Sequence, residues 1–173
     1  MRHLRHFLLL AFLTPLMALA ASSAFEGRWR LDPAQSSALD GWTAWDLVIS
    51  TQGSQVTLQH EMQWRSSKVV ATNAVDAAHP GKLKDFFRVT ARHMGVYPEK
   101  GGETSVEAHW LDAGRTLRLE AQTPVEISQG TTVLRIYSEY RLLEGDEALL
   151  LIELHSSRPR PLVYRFVRVA PGR

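Results

Sequence analysis

Along most of this chain apolar and polar residues alternate with a period of two. From Ala44 to Thr51 and from Ser54 to Trp64, one set of alternate positions holds Trp45, Leu47, Ile49, Val56, Leu58 and Met62. The other set holds Asp46, Val48, Thr57, Gln59 and Glu61. Such alternation marks strands with one buried side. Gln52-Gly53 separates the two runs, and a two-residue loop ending in glycine suits a tight hairpin, because glycine reaches positive φ without a steric penalty. Pairing Thr51 with Ser54 sets Ile49 against Val56, Leu47 against Leu58 and Trp45 against His60. A second hairpin turns at Ala113-Gly114 and joins Ser105–Asp112 to Arg115–Thr123, aligning Trp110 with Leu117, Ala108 with Leu119 and Val106 with Ala121. A third turns at Gly145-Asp146 and joins Thr132–Glu144 to Glu147–Ser156. Gly27–Leu31, Lys68–Asp76 and Leu162–Val169 read as further strands. Strands of this length and spacing predict an antiparallel barrel or sandwich.

One stretch departs from the pattern. Between Pro80 and Gly95, the residues Leu83, Phe86, Phe87, Thr90 and Met94 recur at helical spacing, with Lys82, Lys84, Asp85, Arg88 and Arg92 on the other side. Pro80 suits a first turn, Gly95 the position after a last turn, and Pro98 stops continuation. The spacing predicts an amphipathic helix over about 80–95, with a strand through Phe87-Arg88-Val89-Thr90 as the rival. Such a helix is expected to pack as a lid or plug on the barrel; membrane contact through its basic side and Phe86, Phe87 and Met94 is the less favoured alternative.

The first residues carry an address. Arg2 and Arg5 precede an apolar run from Phe7 to Leu13, Pro15 interrupts it, and Ala18-Leu19-Ala20 offers small residues where a signal peptidase reads. Residues 1–20 read as a cleaved signal peptide, with cleavage after Ala24 as the alternative, and 21–173 as a single domain. The chain has no cysteine, which excludes a lipoprotein signal and favours a periplasmic or secreted protein of a Gram-negative bacterium over a disulfide-bonded eukaryotic one. The formal charge of +2 comes from 20 basic and 18 acidic residues; removing Arg2 and Arg5 leaves a neutral domain. Bulk charge therefore points to neither nucleic acid nor an anionic surface. Nothing in the sequence calls for a cofactor or a metal.

Two stretches resemble a family. Phe25-Glu26-Gly27-Arg28-Trp29-Arg30-Leu31-Asp32-Pro33-Ala34-Gln35-Ser36 is similar to the opening of small secreted bacterial lipocalin-like proteins, and Ser157 to Phe166 resembles their closing strand. The resemblance implies a calycin-type barrel of about eight to nine strands that binds a small molecule. It also implies that Trp29 packs at the closed end under an arginine of the last strand, Arg165 or Arg168. A mid-chain helix and the lack of cysteines depart from typical lipocalins.

Polar residues on apolar faces are the candidates for contact with a ligand. His60 lies beside Trp45 between Leu58 and Met62. In the third hairpin, opposing Glu144 and Glu147 sets Leu142 against Leu149, Tyr140 against Leu151, Ser138 against Glu153 and Ile136 against His155. Ser138, Tyr140, Glu153 and His155 then cluster inside, unless Leu150, Ile152 and Leu154 are the inward set. Trp45, His60, Ser138, Tyr140, Glu153 and His155 are accordingly the expected lining of a ligand site. Ser138 lacks the sharp Gly-x-Ser-x-Gly turn of an exposed nucleophile. The Glu-x-His spacing could present two metal ligands, with His60 as the third. Binding of a small apolar or amphipathic molecule without chemistry is the favoured reading. A structural or interaction module filled by Trp45, Trp64, Trp110 and the phenylalanines is the alternative, and an enzyme ranks below both.

Overall fold

The computed structural model describes residues 23–37, 42–84, 86, 97–99 and 101–170. The period-two segments form strands: β1 (Gly27–Leu31), β2 (Ala44–Gln52), β3 (Gln55–Trp64), β4 (Ser67–Asp76), β5 (Gly81–Leu83), β6 (Tyr97–Pro98), β7 (Thr104–Leu111), β8 (Thr116–Ile127), β9 (Gly130–Leu142), β10 (Ala148–His155) and β11 (Leu162–Arg168). Their order is β4-β3-β2-β1-β11-β10-β9-β8-β7-β5, all pairs being antiparallel, and the two-residue β6 pairs with β8 alongside β7. The first and last main strands meet, Trp29 opposite Arg168. Ten strands thus wrap into a nearly closed barrel, consistent with a calycin-like fold, with a seam between β4 and β5.

Alternation sorts the side chains. Trp45, Leu47, Ile49, Val56, Leu58, Leu117, Leu119, Leu149, Leu151 and Phe166 fill the inside, each at most 3% exposed. The outer wall is charged: the Arg28 guanidinium bridges Asp46 at 3.0 Å and Glu61 at 2.6 Å, and Arg30 reaches Asp46 at 2.9 Å. These guanidiniums hold both carboxyls below their ordinary range, Asp46 chiefly through Arg30 and Glu61 chiefly through Arg28.

The barrel has two unlike ends. The turns after β2, β7 and β9 gather with the start of β1 and the end of β11 at one of them. A short 3-10 turn, Ser23–Phe25, lies beneath this end. Phe25 is fully buried and meets the Trp110 ring edge-on at 4.9 Å. The Trp29 indole donates to the Phe25 carbonyl at 3.1 Å, and the Arg168 guanidinium lies 4.1 Å from the centre of the Trp29 ring. Arg168 also donates to the carbonyls of Asp146 (2.9 Å), Glu26 (3.0 Å) and Ala24. Arg165, one face away, pairs with Asp32 at 3.2 Å instead. Inward positions on β11 are even-numbered, Leu162, Tyr164 and Phe166, so Arg168 continues the inner row and Arg165 does not.

Three expectations need correction. The wall has ten strands, not eight to nine. No helix of seven or more residues occurs among the described residues, and Gly81–Leu83, expected to begin a helix, pairs with β7 as a strand. Apart from Lys84 and Phe86, the rest of the expected helix, including the rival strand Phe87–Thr90, lies outside the described residues. In the first hairpin the loop is Gly53-Ser54, so Ile49 faces Leu58, Leu47 faces His60 and Trp45 faces Met62. Gly53 takes φ +60° at the first loop position. The second and third hairpins have the expected pairing throughout.

Candidate functional site

Buried polar side chains inside the barrel cluster away from the cap. Toward the capped end the inner rows carry Ile49, Val56, Leu117, Leu142, Leu149 and Phe166. Farther from the cap the same rows carry His60, Thr104, Thr123, Ser138, Glu153 and His155, all buried, interspersed with the apolar Met62, Val125, Leu134, Ile136 and Leu162. Each strand contributes by parity alone: a residue two positions along a strand stays on the same face one step nearer the mouth.

All six residues expected at a site face this interior. On β10, Glu153 and His155 are 8% and 5% exposed while Leu154 is 47% exposed, which settles which face is inward. They form two groups. In the first, the Trp45 indole donates to His60 Nδ1 at 3.2 Å, reaching diagonally across the hairpin because Leu47, not Trp45, is the direct partner of His60. That bond makes Nδ1 an acceptor and places the neutral ring's proton on Nε2. Burial pushes the His60 pKa down to about 3. His60 is therefore an uncharged core histidine at neutral pH.

The second group lies on β9 and β10. The Ser138 hydroxyl donates to Glu153 Oε1 at 3.4 Å, and His155 Nε2 stands 3.7 Å from Glu153 Oε2. Glu153 Oε2 is buried with no hydrogen bond from the protein. Burial, reinforced by the nearby Glu153 charge, pushes the Tyr140 phenol upward. The carboxylate thus sits between the serine and the histidine. A nucleophilic serine needs the histidine as its immediate neighbour, so this order does not activate Ser138. Among the described residues no cluster of three or more metal-binding side chains comes together, so His60 does not complete a site with Glu153 and His155.

Tyr164 links the two groups and was not among the expected residues. Its ring meets Trp45 edge-on at 5.2 Å, next to Phe166 at 5.1 Å from the same indole. Its hydroxyl is buried without a hydrogen bond, and its pKa is raised by burial first and by Glu153 second. The signal was available: Tyr164 falls between Leu162 and Phe166 on the inward face of the last strand.

Three cavities bounded by described residues open elsewhere. One of about 380 Å³ lies on the outer wall beside Arg30, Asp46, Glu61, Lys68 and Val70. Another of about 280 Å³ lies outside β8–β10 between Glu120, Arg135, Tyr137 and Leu154, with His155 at its edge. The third, about 200 Å³, follows the seam between Val75 and Leu83. Trp110 is inside the barrel, whereas Trp64 stands half-buried at the uncapped rim with Arg65 on its ring at 4.6 Å. No helix among the described residues is long and apolar enough to cross a membrane. The chain matches no model of a known protein family, and no curated protein matches it in sequence.

Proposed function

We propose that this domain is an exported, lipocalin-like binding protein that holds a small amphipathic molecule in the uncapped half of its barrel and performs no chemistry on it. The observation that carries the reading is a set of buried polar groups, His60, Thr123, Ser138, Glu153 and His155, on inner rows away from the Trp29–Arg168 cap. A few polar groups in an apolar, aromatic-rich lining are what orient an amphipathic ligand. The Arg2–Arg5 head, the apolar run to Leu13 and the small residues at Ala18 and Ala20 support export to the periplasm or beyond.

A second reading has its own support. Trp45 is packed against His60, Tyr164 and Phe166 in the middle of the barrel, which suits an interior filled by its own side chains and a role on the outer surface. The experiment that separates the two is native mass spectrometry of the full chain expressed with its leader and purified from the periplasm of a Gram-negative host, followed by melting with a panel of short-chain amphiphiles. Binding at a hundredfold excess over Kd adds about 2.7 kcal/mol, or roughly 5–10 °C for a domain of this size. A copurifying small molecule or such a shift supports binding. Neither result, across the panel, rejects binding and leaves the filled barrel. Retention of the protein in the cytoplasm with its leader uncut rejects export.

A further inference from the structure

We infer that the uncapped half of the interior selects a cationic head group, a protonated amine on an apolar body, over a carboxylate or a neutral head. This rests on the binding reading above and gives it a ligand class. Glu153 is 8% exposed, and its hydrogen bonding within the protein amounts to one long bond, 3.4 Å from Ser138, to Oε1. Its Oε2 has none, and His155 Nε2 at 3.7 Å is beyond hydrogen-bonding distance. A carboxylate can accept at about four lone-pair sites, so most of the acceptor capacity of Glu153 is left unused by the protein. Close by, the Tyr164 hydroxyl is also buried without a partner.

The deficit has a sign. What Glu153 Oε2 lacks is a hydrogen-bond donor, and an ammonium brings three N–H donors that bond a carboxylate at about 2.7–2.9 Å. The Trp45 and Tyr164 rings, in edge contact at 5.2 Å, make the surroundings aromatic and apolar, as suits the chain of an amphipathic amine. A fatty-acid head would instead bring a second carboxylate against Glu153, and like charges in one site oppose ionisation of both. The titratable and charged groups around the carboxylate agree with this. Tyr140 and Tyr164 both have their ionisation opposed by burial first and then by the Glu153 charge. His155 lies on the same strand, and from the rim loop Arg158 is the cation whose charge acts on Tyr164.

The test uses three probes of equal chain length, octylamine, octanoate and octanol, titrated calorimetrically into the wild-type protein and into Glu153→Gln and Tyr164→Phe variants whose melting shows them folded. Octylamine is expected to bind the wild type about tenfold or more tighter than octanoate, reflecting a charge-assisted bond that the acid lacks. Glu153→Gln is expected to erase that preference, and Tyr164→Phe to weaken octylamine severalfold while preserving the order. Octanoate or octanol binding as tightly as octylamine, or an unchanged octylamine affinity in Glu153→Gln, overturns the cation preference while the binding reading stands. If none of the three probes binds, both fall together.

Discussion

Replacing Arg168 by alanine removes one side chain and disconnects four groups. Its three nitrogens donate to the carbonyls of Ala24, Glu26 and Asp146, and its plane covers Trp29 at 4.1 Å. Those acceptors come from the segment before β1 and from the β9–β10 turn, so the guanidinium joins pieces of chain far apart in sequence. The site is partly solvated, so each bond contributes about 0.5–1.5 kcal/mol, the lower range for a hydrogen bond. Stacking on the indole adds about 0.5–1 kcal/mol. The expected loss is about 2–4 kcal/mol after allowing for water replacing part of the bonding, or a fall in Tm of about 5–15 °C. Arg165→Ala is the internal control: it breaks a single ion pair with Asp32 at 3.2 Å between half-exposed partners, worth at most about 1 kcal/mol. Arg168→Lys is expected to recover less than half, because an ammonium has no planar fork with which to reach three carbonyls and cover a ring. Thermal melting of the three variants by circular dichroism reads all of this. Equal losses for Arg165→Ala and Arg168→Ala would refute the reasoning, since only one of the two arginines is built into the cap.

Two other outcomes follow from the same geometry. His60 has its folded pKa depressed from the ordinary 6.5 to about 3 by burial. The unfolded chain therefore binds the extra proton, and the stability from keeping His60 neutral is complete above about pH 6.5 and is lost as pH falls toward 3, by up to about 1.4 kcal/mol per pH unit. Urea midpoints measured from neutral to mildly acidic pH should fall more steeply for the wild type than for His60→Gln, and parallel slopes would show that His60 does not titrate as buried. Gly27→Ala is expected to cost about 1–3 kcal/mol, because Gly27 has φ +126° and an added Cβ would stand 3.2 Å from Arg168 Nη1. Gly53→Asn should be nearly neutral in comparison, since Gly53 has φ +60°, which asparagine tolerates, and open space around it. A Gly27→Ala melt indistinguishable from that of Gly53→Asn would contradict this account of the Gly-x-Trp glycine.

Faces were legible in the sequence where partners were not. The loop assigned to Gln52-Gly53 is Gly53-Ser54, and that displacement moves every partner in the hairpin by two residues, so that Trp45 meets Met62 and not His60. An even slip leaves each side chain on its original face, so the alternation cannot detect it, and glycine sits in the loop under both registers. The Trp45–His60 contact survives because an indole spans a diagonal neighbour. The short strands were invisible for a different reason. Gly81–Leu83 and Tyr97–Pro98 hold too few residues to display a period, and their pairing to β7 and β8 is a tertiary choice. Leu83, Phe86 and Phe87 fit helical spacing, yet Leu83 pairs with Thr104. Parity, by contrast, reaches to the end of the chain's last strand. Leu162, Tyr164 and Phe166 already mark the inward row of the last strand, and extending it selects Arg168 over Arg165 and brings Tyr164 into the interior.

The two ends of the barrel follow opposite rules, and the contrast bears on function. Around Trp29 the polar atoms are matched: the indole has the Phe25 carbonyl, and each nitrogen of Arg168 has a carbonyl of its own. Farther along, the inner rows change from Leu142, Leu149, Leu151 and Phe166 to Ser138, Glu153, His155 and Tyr164 before returning to Leu134, Ile136 and Leu162, and the matching stops at Glu153 Oε2 and the Tyr164 hydroxyl. A barrel that needed only to be filled would be more stable with apolar residues continuing along those rows, because an incompletely satisfied buried network is worse than an apolar core. Buried polar groups can instead fix register, but that use calls for the complete pairing found around Trp29. Unmatched polar atoms carried at a cost in stability are characteristic of sites that meet their partner only on binding. The cap then has a plain role beside them: by making the structure secure at one end, it lets the other end hold groups that the fold itself does not satisfy.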